Sequence, residues 1–120
     1  MRYVDGFVIP VAKKSVPDYV RLAKKAGRIW REHGALEVCE CIADDVPMGK
    51  WTSFPRSVKL KAGETVIFAW IVYRSRAHRD RVNAKVMKDA RFAKMMSGGE
   101  KMPFDAKRMI FGGFKVLCAA

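Results

Sequence analysis

No apolar run in the chain approaches the roughly 18 residues that a membrane-spanning helix needs, so no membrane partner is expected. A signal-peptide layout is missing as well. Asp5 interrupts the first apolar stretch, MRYVDGFVIP, and no small-residue cleavage site follows it. A cytoplasmic protein is the expectation. Cysteine is scarce, with 3 residues. Cys39 and Cys41 stand two apart on a predicted strand, where their side chains share a face too far apart to bridge without distortion. Zinc wants four ligands, and neither His33 nor His78 is close to that pair in sequence. Ordinary buried thiols are expected, and no metal site. The chain also has no nucleophile elbow, no phosphate loop, no internal repeat and no low-complexity tract.

Acidic residues are few beside basic ones: 12 Asp+Glu against 24 Lys+Arg, for a net charge of +12 and a pI near 10.0. Such a balance raises the prospect of nucleic acid or another anionic partner. The basic residues run along most of the chain rather than forming one arm, as on a solvated basic surface.

Apolar residues, by contrast, are plentiful at 50%, and 120 residues suit one domain spanning 1–120. Thr65 to Tyr73 reads TVIFAWIVY, apolar at both parities. A strand against water alternates apolar with polar; one covered on both faces does not. Met109 to Leu117 is nearly as apolar. Strands are predicted over Arg2–Val11, Leu36–Ala43, Glu64–Arg74 and Lys107–Leu117. A helix capped by Ser15, with Pro17 and Asp18 in its first turn, runs to about Gly34. A second, capped by Ser75, runs to about Arg91. Asp44–Gly63 and Met95–Ala106 read as loops, the first long enough to be functional or mobile and with room for a short turn of helix or strand.

The order β-α-β-β-α-β is the ferredoxin-like pattern, an α+β fold with one antiparallel four-stranded sheet and both helices on one face. The other face would expose far more apolar surface than a monomer tolerates. A two-fold dimer with the sheets facing each other resolves this, giving a dimeric α/β barrel.

The stretches YVDGF (Tyr3–Phe7), GALEV (Gly34–Val38), DVPMGK (Asp45–Lys50), FAWIVYRS (Phe68–Ser75) and MPFD followed by KRMIFGGF (Met102–Phe114) resemble the bacterial YbaA-like family, within the dimeric α/β-barrel superfamily. The resemblance covers nearly the whole chain. It implies a ferredoxin-like monomer and a face-to-face homodimer, and it carries over no activity and no catalytic residue. The wider superfamily includes cofactor-free and haem-degrading monooxygenases. Haem degraders there use an Asn on the first strand, a Trp on the third and a His at the second helix. Trp70 and His78 match two of these, but Phe7, Val8 and Ile9 fill the middle of the first strand and no Asn stands there.

Asp5 and Glu40 interrupt otherwise apolar strands. A carboxylate inside a sheet must be paired, hydrogen-bonded or protonated, because burying it alone costs several kcal/mol. One reading is a pocket between sheet and helices bordered by Asp5, Glu40, Trp70 and Arg108, with a carboxylate as general base and Trp70 or Tyr3 holding a planar substrate. The plainer reading is an Asp5–Arg108 ion pair, with Glu40 at a strand edge or dimer seam. Lys50, Trp51, Phe54 and Arg56 interleave base and aromatic on the long loop, as a lid over a pocket mouth or a single-strand nucleic-acid site would. His33 reads as structural at a helix C-terminus. Gly112–Gly113 reads as a bulge or a close contact.

The function expected is small-molecule binding by a homodimer, with a cofactor-independent monooxygenase as its catalytic form; that chemistry requires no cofactor, since an electron-rich substrate could reduce oxygen itself. The alternatives are nucleic-acid binding through Arg21, Lys24, Lys25, Arg28 and Arg31, and a structural or regulatory dimer without a ligand. Whether the chain is an enzyme is left undecided by its residues.

Overall fold

A computed structural model describes the backbone of residues 1–120 and every side chain except those of Gly99 and Glu100. Four strands, β1 (Tyr3–Ala12), β2 (Glu37–Ile42), β3 (Glu64–Tyr73) and β4 (Ile110–Lys115), form one antiparallel sheet in the order β2-β3-β1-β4. This is the ferredoxin-like arrangement. Helix α1 (Val16–Glu32) joins β1 to β2, and α3 (Arg76–Met87) with α4 (Ala90–Met95) joins β3 to β4. The short turn α2 (Phe54–Ser57) lies inside the long β2–β3 connection, capped by the Ser53 hydroxyl.

Register decides which side chains meet. Asp5 pairs with Ile71, Phe7 with Ala69 and Ile9 with Ile67, so these share the face that α1 and α3 cover. There Ile29, Val82 and Val86 close on Tyr3, Ile71 and Tyr73, and Tyr19 closes on Ile9, Val11 and Ile67. The opposite face is covered at one end only, where Val58 packs on Val8 and Val66.

Several local expectations are corrected. Ser15 makes no side-chain cap; α1 is entered instead through a 3-10 turn, Lys13–Ser15. Ser75 does cap α3, accepting from the His78 N–H. The second helix does not run on to Arg91. It stops at Met87 because Asp89 starts α4 as its own cap, accepting from the Arg91 N–H, while its second oxygen holds His33 at 2.8 Å. Met95–Ala106 is accordingly no plain loop, since α4 ends at Met95 and a 3-10 turn, Met96–Lys101, follows. At the end of α1, Gly34 takes φ +116°, the left-handed stop a glycine supplies cheaply. Gly112–Gly113 is no bulge, for the β1–β4 register runs through it unbroken. A Cβ at Gly113 would instead drive into the Tyr3 ring, so the glycine permits a close approach.

Candidate functional site

A cavity of about 330 Å³ lies between the helix-covered face of the sheet and the helices. Its floor is Asp5, Phe7 and Ile9 of β1 with Ala69 and Ile71 of β3. Tyr19, Ala23 and Trp30 of α1, Asn83 of α3, and Phe92 and Met95 of α4 form the roof, and Phe104, Met109 and Phe111 flank the open side. The aromatic walls hold one another: Trp30 meets Phe92 edge-on at 5.2 Å, Tyr19 meets Phe104 edge-on at 6.1 Å, and Phe7 stacks on Phe111 at 6.2 Å.

Polar groups enter this apolar chamber at two places. At one, Asp5 is only 6% exposed and accepts from Arg79 Nη1 at 2.7 Å. The guanidinium sits 5.0 Å above the Tyr3 ring and also donates to Asp80 at 2.8 Å. Asn83 Oδ1 accepts from both Trp30 Nε1 (3.0 Å) and the Tyr73 hydroxyl (3.2 Å). Burial pushes the Asp5 carboxyl above its ordinary value, against the pull of Arg79 and of the neighbouring Tyr73 and Asn83 side chains.

At the other, the Tyr19 hydroxyl donates to Glu40 Oε1 at 2.6 Å. Tyr19 is 5% exposed, whereas Glu40 stands on the edge strand and is an exposed residue. Desolvation beside α1 raises the pKa of its carboxyl, and the Tyr19 bond only partly opposes the shift. Burial and then the neighbouring Glu40 push the Tyr19 hydroxyl far up, so it stays a donor.

A stability consequence follows. A carboxyl whose folded pKa is raised contributes stability fully present below its unfolded value, about 4.3, and lost as pH rises through the folded value. Glu40→Gln removes that loss. Its melting temperature should exceed the wild type's at about pH 8, with the gap closing towards about pH 4 in differential scanning calorimetry. A gap independent of pH would contradict the burial of this carboxyl.

The structure thus brings Asp5 and Glu40 of the expected site to one cavity, which Trp70 borders with its indole turned away, and places Arg108 elsewhere. Trp70 pairs with Gly6, one residue out of phase with Asp5, so its indole lies on the opposite face. There it donates to Glu37 Oε2 at 2.8 Å and leans on Phe68 at 5.8 Å. The expected Asp5–Arg108 pair does not form. Arg108 binds Glu64 at 2.6 Å and Asp105 at 2.8 Å, and donates to the carbonyls of Val58 and Lys59. Nor do Lys50, Trp51 and Phe54 cover the cavity. Phe54 packs edge-on against Phe68 at 5.6 Å, on the sheet face away from the helices, and Trp51 is 94% exposed. His78 is buried, its Nδ1 accepting from the Arg74 N–H at 3.0 Å, and burial pushes its pKa down. It is a structural imidazole, and Trp70 and His78 do not converge on one site.

Arg79, Tyr19, Asn83 and Trp30 were not expected in the site. Asp5 inside an apolar strand calls for a cation, but RSRAHRDR offers several arginines and reads as a polar surface. Tyr19 and Trp30 fall on the apolar stripe of α1, where spacing shows packing and conceals a hydroxyl or N–H aimed at a partner.

A second hollow, a groove of about 670 Å³, runs outside between α1 and edge strand β2. Val16, Val20 and Ile42 floor it, Lys24, Arg28 and Arg31 rim it, and Tyr19 and Glu40 separate it from the cavity. No helix is long and apolar enough to cross a membrane, and among the described residues no group of three or more His, Cys, Asp or Glu is placed to hold a metal ion.

An uncharacterized NIPSNAP domain protein from Burkholderia xenovorans has the same fold, with a TM-score of 0.60 at 12% identity over 98% of this chain and 99% of that one. The uncharacterized protein YbaA of Escherichia coli (strain K12) is 49% identical over 115 residues, 96% of each chain, and YbaA of Shigella flexneri matches equally. A family model described as a protein of unknown function, DUF1428, matches residues 2–106, and with these relatives it shows that the chain belongs to that family.

Proposed function

We propose that this protein is a homodimer that binds a small, planar, largely apolar molecule between its sheet and its helices. The observation that carries the reading is the aromatic-walled cavity with two carboxylates at its polar points, Asp5 neutralised by Arg79 and Glu40 bonded to Tyr19. Concave, mostly apolar sites with a few convergent polar groups are what small ligands require. The dimer is supported by the sheet's other face. Phe68, Ile110 and Phe114 are 43%, 45% and 64% exposed there, with Trp70, Val4 and Val72 between them, a continuous apolar surface larger than a monomer usually leaves wet. Two such faces meeting about a two-fold axis would bury it and leave both cavities on the outside of the barrel, under their own helices. Catalysis, where the bound molecule is a substrate, would be proton removal by a carboxylate; a cofactor-independent oxygenation would begin with that step.

Nucleic-acid binding has weaker support. Arg21 is paired with Asp18, Arg31 donates to the Ala35 and Leu36 carbonyls, and Arg56 of the long loop donates to those of Met48 and Gly49.

The chain has 3 tryptophans, and among them Trp30 alone places its indole in the cavity roof. In a Trp51→Phe/Trp70→Phe background, N-phenyl-1-naphthylamine should quench Trp30 emission and saturate at one equivalent per protomer. Absence of quenching at probe concentrations up to its solubility would contradict the proposed site.

A further inference from the structure

The geometry points to a ligand class for this cavity: uncharged planar molecules that carry an O–H or N–H donor, read by the second carboxylate oxygen of Glu40. The inference rests on the cavity being the ligand site and adds which chemistry it selects.

Among the described residues Arg79 is the cation that lines the cavity. It faces two carboxylates, Asp5 at 2.7 Å and Asp80 at 2.8 Å, so its charge is already compensated. The neutral donors are turned to protein partners: Trp30 Nε1 and the Tyr73 hydroxyl to Asn83 Oδ1, the Asn83 amide to Asp5, and the Tyr19 hydroxyl to Glu40 Oε1. An anionic ligand therefore enters a low-dielectric space with no free counter-charge, at a desolvation cost of several kcal/mol.

The acceptor side is different. Tyr19 occupies Oε1 of Glu40, and Oε2 makes no hydrogen bond among the described residues. Glu40 borders both the outer groove and the inner cavity, so a ligand in the cavity lies beside its carboxyl. The groups facing Glu40 from the elements packed against it are the Tyr19 hydroxyl of α1 and, along the groove, Lys24, Arg28, Arg31 and Glu32. None of those four lines the cavity itself. A phenol, an enol or an aryl amine would place its donor on Oε2 and its ring among Phe7, Trp30 and Phe104. A hydrogen bond to a charged acceptor contributes about 1.5–3 kcal/mol, which is tenfold or more in affinity.

The test is a titration calorimetry series on the wild-type protein near neutral pH with three molecules of one shape: 2-naphthol, 2-methoxynaphthalene and 2-naphthoate. 2-Naphthol should bind at least about tenfold more tightly than either of the others. In Glu40→Gln the amide can turn a donor towards the ligand, so the preference should shrink to within about threefold. Equal or tighter binding of 2-naphthoate, or a 2-naphthol preference that survives in Glu40→Gln, would overturn the assignment of ligand class while leaving the cavity as a site. Failure of all three to bind would overturn the cavity as a planar-ligand site, and this inference with it.

Discussion

Replacing Arg79 with Met should destabilise the protein by about 3–5 kcal/mol, the cost of leaving a buried carboxylate without its partner. Asp5 is held on a central strand, covered by α3, and Arg79 is the cation that faces it. The double variant Asp5→Asn/Arg79→Met should recover most of the loss, because replacing both charges removes the desolvation problem along with the attraction. In the single variant Asp5 would favour its neutral form still more strongly. The penalty should therefore shrink as pH falls through the raised pKa of Asp5. Urea denaturation of the three proteins at two pH values checks all of this. A single-variant loss below about 1 kcal/mol would mean that the pair behaves like a surface ion pair.

Phe68→Glu should convert a dimer into a monomer, with the mass in sedimentation or light scattering falling from twice 13.6 kDa to 13.6 kDa. Phe68 stands on the interior strand β3, on the face without helices, with Phe54 and Trp70 against it. In a two-fold pair each substitution acts twice, and burying an unpaired carboxylate at the seam costs several kcal/mol per copy. Trp70→Ala belongs to the same experiment. With its indole on this face, the variant should weaken the dimer and leave the cavity's ligand binding intact. A wild type that runs at 13.6 kDa at high micromolar concentration would contradict the proposed interface.

The fold was legible because its signals are periodic. TVIFAWIVY is too apolar on both parities for a strand that faces water, and Val16, Tyr19, Ala23, Ala26 and Trp30 recur at helical steps. The site was legible only in part. Asp5 and Glu40 stand out because carboxylates are out of place in apolar strands. Trp70 and Arg108 were misplaced for another reason, since periodicity gives the parity within a strand but not the register between strands. One residue of phase between Trp70 and Asp5 moves an indole to the other face of the sheet. Arg108 falls in the turn before β4 rather than on the strand, where Glu64 and Asp105 hold it. The long loop has the composition of a lid, yet composition does not say which face it covers. Phe54 on Phe68 puts it beside the bare face of the sheet.

The most direct test is a methyl NMR titration of the protein with N-phenyl-1-naphthylamine. The methyls of Ala23, Ile71, Met95 and Met109 line the cavity, while those of Val4, Val66 and Val72 lie on the opposite face of the sheet. Shifts confined to the first set are the predicted result. Shifts centred on Val4, Val66 and Val72, or none at all, would contradict a ligand site between sheet and helices.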